Sequence, residues 1–208
     1  AEAAKQELIR RYFHYGCEHA MGLMEEETVQ RAKLLMDEFD LEPSSRPVVT
    51  AAYEARKAAE KKTDKGNRGV FCGAAIALHN GNIATGQNSP LMHAASSLVL
   101  NSIKSLADIP RHLELISPNI MESISDLRKD ILRRDSVSLN LSETLIALGI
   151  SSTTNPTARA AMDQLTKLRG CEMHITHLPT PGDEKALRRL GVNLTSDPHF
   201  ATQKLFAS

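Results

Sequence analysis

Excess charge of either sign is missing from this sequence: 25 lysines and arginines stand against 25 aspartates and glutamates over 208 residues. Without a basic surplus, or a basic run interleaved with aromatics, nothing draws the phosphate backbone of a nucleic acid or an anionic membrane surface. Nucleic acid is not an expected partner. No apolar run approaches the roughly 20 residues of a bilayer-spanning helix, and no signal-like segment opens the chain. No membrane partner is expected, and a cytoplasmic location follows. Cysteine is scarce: Cys17, Cys72 and Cys171 are odd in number and widely spaced, which suits reduced core thiols better than a disulfide framework. Repeats and low-complexity tracts are absent. Ala1 opens the chain already inside a helical pattern and without a Met, so a fragment or processed piece of something longer is expected.

What is present is apolar content of 41%, enough to bury a core at this length. The segment with the clearest plan runs from Gly69 to Ile103. Val70, Cys72, Ala74, Ile76 and Leu78 alternate with Phe71, Gly73, Ala75, Ala77 and His79, so both faces are apolar and the strand belongs inside a sheet. Asn80-Gly81 predicts a hairpin with positive φ at both turn residues, returning through Asn82 to Thr85. Gly86 to Pro90 breaks the sheet, and Leu91 to Leu106 resumes with helical spacing.

Three amphipathic helices precede this segment. Ala4 to Ala20 carries a one-sided apolar stripe, and Glu25 to Phe39 turns Val29, Ala32, Leu35, Met36 and Phe39 inward before Pro43 stops it. Ser45-Arg46-Pro47 starts the third, with Val48, Ala52, Tyr53, Ala55 and Ala59 inward. Lys61 to Arg68 is a charged linker, so residues 1–65 are expected to form a helical subdomain and 66–208 an α/β domain. Downstream, Leu113 to Ile116 reads as a short strand and 118–132 as a helix. Asn140 with Glu143 has the form of a capping box opening a helix through Ile150. Asn155-Pro156 launches another from Thr157 to Leu168. Cys171 to His177 is a strand, Asp183 caps a helix to Leu190, and Val192 to Leu194 is the last strand. These apolar helices exceed what a small sheet needs, and the surplus predicts a homo-oligomer.

Two resemblances rest on these motifs. Gly73-Ala74-Ala75, Asn80-Gly81, Thr85-Gly86-Gln87-Asn88 and His93-Ala94-Ala95 resemble, in order and near-spacing, the opening of cytidine-deaminase-like proteins. Asn155 to Ala160 sits where that fold has its P-C-x-x-C helix start. The fold implied is α/β (α+β), a three-layer deaminase-like domain with inserted helices following the helical subdomain. Zinc deaminases need three His or Cys ligands and a proton-shuttling Glu. Here His93 remains, Ala95 stands at the Glu position, and Thr157 and Ala160 stand at the Cys positions. A zinc-free pocket is implied, with no metal and no cofactor. His174 and His177 lie three apart in a strand and point to opposite faces, which makes them a poor metal pair. Seven further segments, from AAKQELIRRYF to DEKALRRLGVNLTSDP, resemble the carboxyl-terminal portion of the bacterial domain-of-unknown-function 1846 family. Its longer members have an amino-terminal part resembling a nucleotide-binding domain, so that domain is an implied partner.

In the deaminase-like fold two helix starts face one pocket, and helix starts offer unpaired N–H groups to an anion. The residues placed there by the resemblance are Asn88, Ser89 and His93 on one side and Thr153, Thr154, Asn155 and Thr157 on the other. The same residue types are ordinary helix caps and loop formers. His93 is in addition the one candidate catalytic base, or a structural histidine. The expected function is a ligand-binding or assembly module taking an anionic small molecule such as a phosphate or nucleotide. The alternative is a transferase or nucleotide-processing enzyme whose active site is completed by the amino-terminal domain. A purine-biosynthetic transformylase has a related zinc-free fold but uses an adjacent Lys-His pair, which this chain lacks.

Overall fold

The computed structural model describes residues 2–133 and 137–201, Glu2 by its backbone alone. At its centre β1 (Gly73–Ala77), β2 (Ile83–Gln87), β3 (Glu172–Ile175) and β4 (Asn193–Ser196) form one sheet in the order β2-β1-β3-β4. β1 runs antiparallel to both β2 and β3, and β3 runs parallel to β4. β1 therefore lies inside the sheet, as its two apolar faces require. The hairpin turn differs from expectation. Gly81 alone takes positive φ, at 85°, while Leu78 accepts from the Gly81 amide at 2.9 Å and donates to Asn82 at 2.8 Å. The loop thus spans three residues and closes on one left-handed glycine, the next commonest hairpin design.

Helices cover both faces. On one, α3 (Pro47–Glu60) packs against β1, β2 and β3, and α1 (Glu2–Ala20) lies against β4 with α2 (Glu26–Glu38) packed onto it. On the other, α4 (Ala94–Leu106) packs against β2 and β1. A Cβ on Gly73 would meet the Ala52 carbonyl oxygen at 2.1 Å, and one on Gly86 would meet the Leu98 nitrogen at 2.3 Å. These two glycines let α3 and α4 approach the strands at backbone distance. Segment 61–68 therefore joins α3 to a strand on which α3 itself rests.

The main core gathers Ala74, Ile76, Met173 and Ile175 from the sheet with Leu98, Leu148, Leu168 and Leu187 from the helices. The helices on that side also include α5 (Pro118–Asp126), α6 (Leu141–Ser151), α7 (Pro156–Met162) and α8 (Pro181–Leu190). Ala75 joins Val48 and Ala52 on the opposite face. There the His174 ring lies 4.8 Å from that of Phe13, and Arg46, 1% exposed, reaches Glu172 at 2.9 Å.

Several elements correct the sequence reading. In α2 only Ala32 and Met36 are buried, whereas Leu35 and Phe39 are 45% and 54% exposed, because α2 touches α1 along a narrow seam. Residues 113–116 form bends, not a strand, and bury Leu115 and Ile116 as plugs. The helix expected over 118–132 changes at Leu127 into a π turn ending at Ile131. α7 stops at Met162, and a short 3-10 turn carries Leu165–Leu168. Thr180, not Asp183, is the N-cap of α8. Among the described residues no helix is long and apolar enough to cross a membrane.

Candidate functional site

Parallel strands in an open α/β sheet present a crevice at their carboxyl ends, and here that end collects the buried His177, Asp183 and Asp197. Thr176 and His177 follow β3, Asp197 follows β4, and Thr180 and Asp183 begin α8. α4 begins at His93, whose backbone N–H donates to Leu139 at 2.9 Å and so ties this start to that of α6. Asn140 caps α6 in a complete capping box with Glu143.

One carboxylate joins these starts. Asp183 is 1% exposed. His93 Nδ1 lies 2.7 Å from its Oδ2, the Thr180 hydroxyl donates to the same oxygen at 2.7 Å, and the Leu141 amide donates to Oδ1 at 2.7 Å. Burial on its own would raise the Asp183 carboxyl; the hydrogen bonds from His93, Thr180 and Leu141 outweigh it and hold the group below the usual carboxylate range. The chain's own carboxylate therefore occupies the anion position that converging helix starts offer. With Nδ1 turned to Asp183, His93 Nε2 has no hydrogen-bond partner among the described residues, and the side chain is 21% exposed.

His177 is the second imidazole here. It is buried, its Nδ1 has no hydrogen-bond partner among the described residues, and burial pushes its pKa down to about 4, against the opposing pull of Asp183. Beyond it, Asp197 accepts from the Tyr53 hydroxyl at 2.6 Å, and His174 Nε2 stands 3.3 Å from its other oxygen without hydrogen-bond alignment. Burial opposes ionisation of Asp197, yet His174 and Tyr53 hold its pKa below the ordinary value. Burial pushes the Cys72 thiol up to about 12, which leaves it inert.

The residues singled out from sequence separate into two places. Asn88, Ser89 and His93 lie beside the α6 start. Thr153, Thr154, Asn155 and Thr157 lie past its far end, eleven residues along at about 1.5 Å per residue, or roughly 16 Å away. The helix start that meets His93 is that of α8, not α7. Most of the seven also use their polar groups locally. Asn88 binds the Cys72 amide and the Val70 carbonyl. Ser89 receives the Leu91 and Met92 amides. Thr153 donates to Ile150, and Asn155 caps Thr157 and Ala158. Among these bonded candidates only His93 keeps a ring nitrogen turned away from its own structural bonds. Sequence reasoning passed over Asp183, His177, Tyr53 and Asp197 as site residues, reading Tyr53 only as an inward residue of the third helix. Thr180-Pro181-Gly182-Asp183 carried a signal, a hydroxyl with an acid three residues on at a helix start. The His177 and Asp197 positions had none. Among the described residues no three or more His, Cys, Asp or Glu side chains are grouped to hold a metal.

A family model described as domain of unknown function DUF1846, C-terminal, matches residues 44–206. A UPF0371 protein of Clostridium botulinum (strain Alaska E43 / Type E3) is 42% identical over 205 residues, covering 99% of this chain and 40% of that protein. A UPF0371 protein of Clostridium tetani (strain Massachusetts / E88) is 39% identical with the same coverage. The chain thus spans about two-fifths of the length of the curated relatives it matches.

Proposed function

We propose, for a chain that belongs to the family of the DUF1846 C-terminal domain, that it is the ligand-binding module of a longer cytoplasmic protein, with a zinc-free, deaminase-like pocket centred on His93. The observation that carries this reading is the 2.7 Å contact between His93 Nδ1 and the buried Asp183. It fixes the ring and leaves Nε2 as the group that meets a ligand. A phosphate or a nucleotide phosphate is the guest proposed, met by Nε2 because Asp183 already fills the helix-start position. The run of β1, hairpin, β2 and α4 with His93 as its cap supports the deaminase-like reading. The oriented imidazole also favours a second reading, a transferase or nucleotide-processing enzyme using His93 as acid or base, completed by the rest of the longer protein. Exposed Ile131, Ile146 and Ile150 support a homo-oligomer as part of the same proposal.

The test is thermal unfolding of the full-length protein with inorganic phosphate, AMP or ATP. At about a hundred times the dissociation constant, one of them is expected to raise the midpoint by about 2 to 5 °C. His93→Gln is expected to remove that rise, read against the variant's own unliganded midpoint, which loss of the Asp183 partner lowers. A rise that survives His93→Gln, or none with any of the three, overturns the reading.

A further inference from the structure

A cavity of about 650 Å³ lies away from His93, along the outer edge of β4. α1 covers the sheet face that holds His174, α8 stands on the opposite side, and the cavity opens between them. Val192, Leu194 and Ser196 line its floor, and Phe13, Leu178 and Pro181 stand in its walls.

The floor is an unpaired strand edge. The Asn193 and Asp197 amides turn toward β3, donating to Cys171 at 2.9 Å and Ile175 at 3.0 Å. Alternate residues of a parallel strand face opposite ways, so the Leu194 and Ser196 amides face the cavity. Among the described residues no strand pairs with that edge, and the Ser196 carbonyl receives only the Cys17 thiol, at 3.2 Å.

The charged groups of the walls answer one another. Glu7 pairs with Arg10 and Arg11, His14 with Glu18, and Glu184 with Arg188, while Arg10 also reaches Glu172. Among the described residues that line the cavity, each cation already has a carboxylate partner. What the slot offers is a row of backbone groups between apolar walls, the chemistry that an extended peptide with apolar side chains satisfies by strand addition. Four residues at about 3.3 Å each would match the length of β4.

We propose that this slot takes an extended segment of the longer polypeptide, from outside this chain, which adds to β4 as a fifth strand. The relatives supply the material: this chain accounts for 40% of the length of the Clostridium botulinum relative, leaving 60% outside it. The proposal stands apart from the reading of His93, because the slot shares no residue with the His93 and Asp183 pair.

Two measurements on the full-length protein test it together. In hydrogen exchange, the Leu194 and Ser196 amides are expected to be protected within about tenfold of the Thr195 amide, which β3 already holds. Faster exchange than that means an open edge and overturns the proposal. A photo-reactive leucine analogue at Leu23, on the rim, is expected to crosslink to a segment outside residues 1–208 of the same chain. Mass spectrometry on mixed isotopically labelled protein reads the partner. Crosslinks to residues 202–208, to a second copy or to another protein overturn it.

Discussion

The residue that sets the pH response is His177. Its buried imidazole titrates near 4, against an ordinary value of 6.5. On acidification the unfolded chain therefore takes up this proton before the folded one does. The stability that neutral His177 contributes is complete above about pH 6.5 and is lost as pH falls through 4, on the order of 3 kcal/mol. The groups facing it are Asp183, His93, Asp197 and Arg56. Both aspartates sit below the ordinary 3.8, so their own losses come in a lower window. Thermal midpoints of the wild type are expected to fall between pH 6.5 and 4, and those of His177→Asn to stay nearly flat. Equal slopes would mean that some other group is responsible.

At the scale of elements, the approach of α4 to β2 depends on the bare backbone of Gly86. A Cβ there would stand 2.3 Å from the Leu98 nitrogen and 2.6 Å from the Ala94 carbonyl oxygen. Neither can rotate aside, so Gly86→Ala is expected to cost about 1 to 3 kcal/mol, measured as a lower urea midpoint at unchanged slope. A change under about 0.5 kcal/mol would show that the helix can shift outward. The same elements show what could be read from sequence. The capping box at Asn140, the Asn155-Pro156 start and the doubly apolar β1 appear as expected, because each is fixed by neighbours a few residues away. The solvent-facing side of α2 and the π turn at Leu127 were not legible, since each depends on which helix lies alongside, whereas the α8 cap carried a local signal in the Thr180 hydroxyl three residues before Asp183. The site followed the same division. His93 was legible from its position, but its pairing with Asp183, 90 residues on, is a product of packing.

For the whole molecule, the feature behind the proposed homo-oligomer is the apolar surface on the inserted helices. Leu127, Ile131 and Leu132 are 45%, 71% and 53% exposed around the π turn, and Ile146 and Ile150 are 64% and 50% exposed on α6, against which α5 packs. Scattered apolar residues need no explanation; a group on adjoining elements does. Sedimentation of the full-length protein is expected to give a multiple of the monomer mass, reduced toward one copy by Ile146→Glu, whose side chain is too exposed for the change to unfold the chain. A wild type that already sediments as a monomer would contradict this. The helices preceding segment 61–68 and the sheet following it share interfaces, and the family match begins at residue 44, ahead of α3.

The shared tether at Asp183 has a consequence for communication through the fold. Whatever draws the proton of His93 away from that carboxylate also loosens the first turns of α6 and α8, which lean on the same two oxygens. An event at the ring is thereby an event at both helix starts.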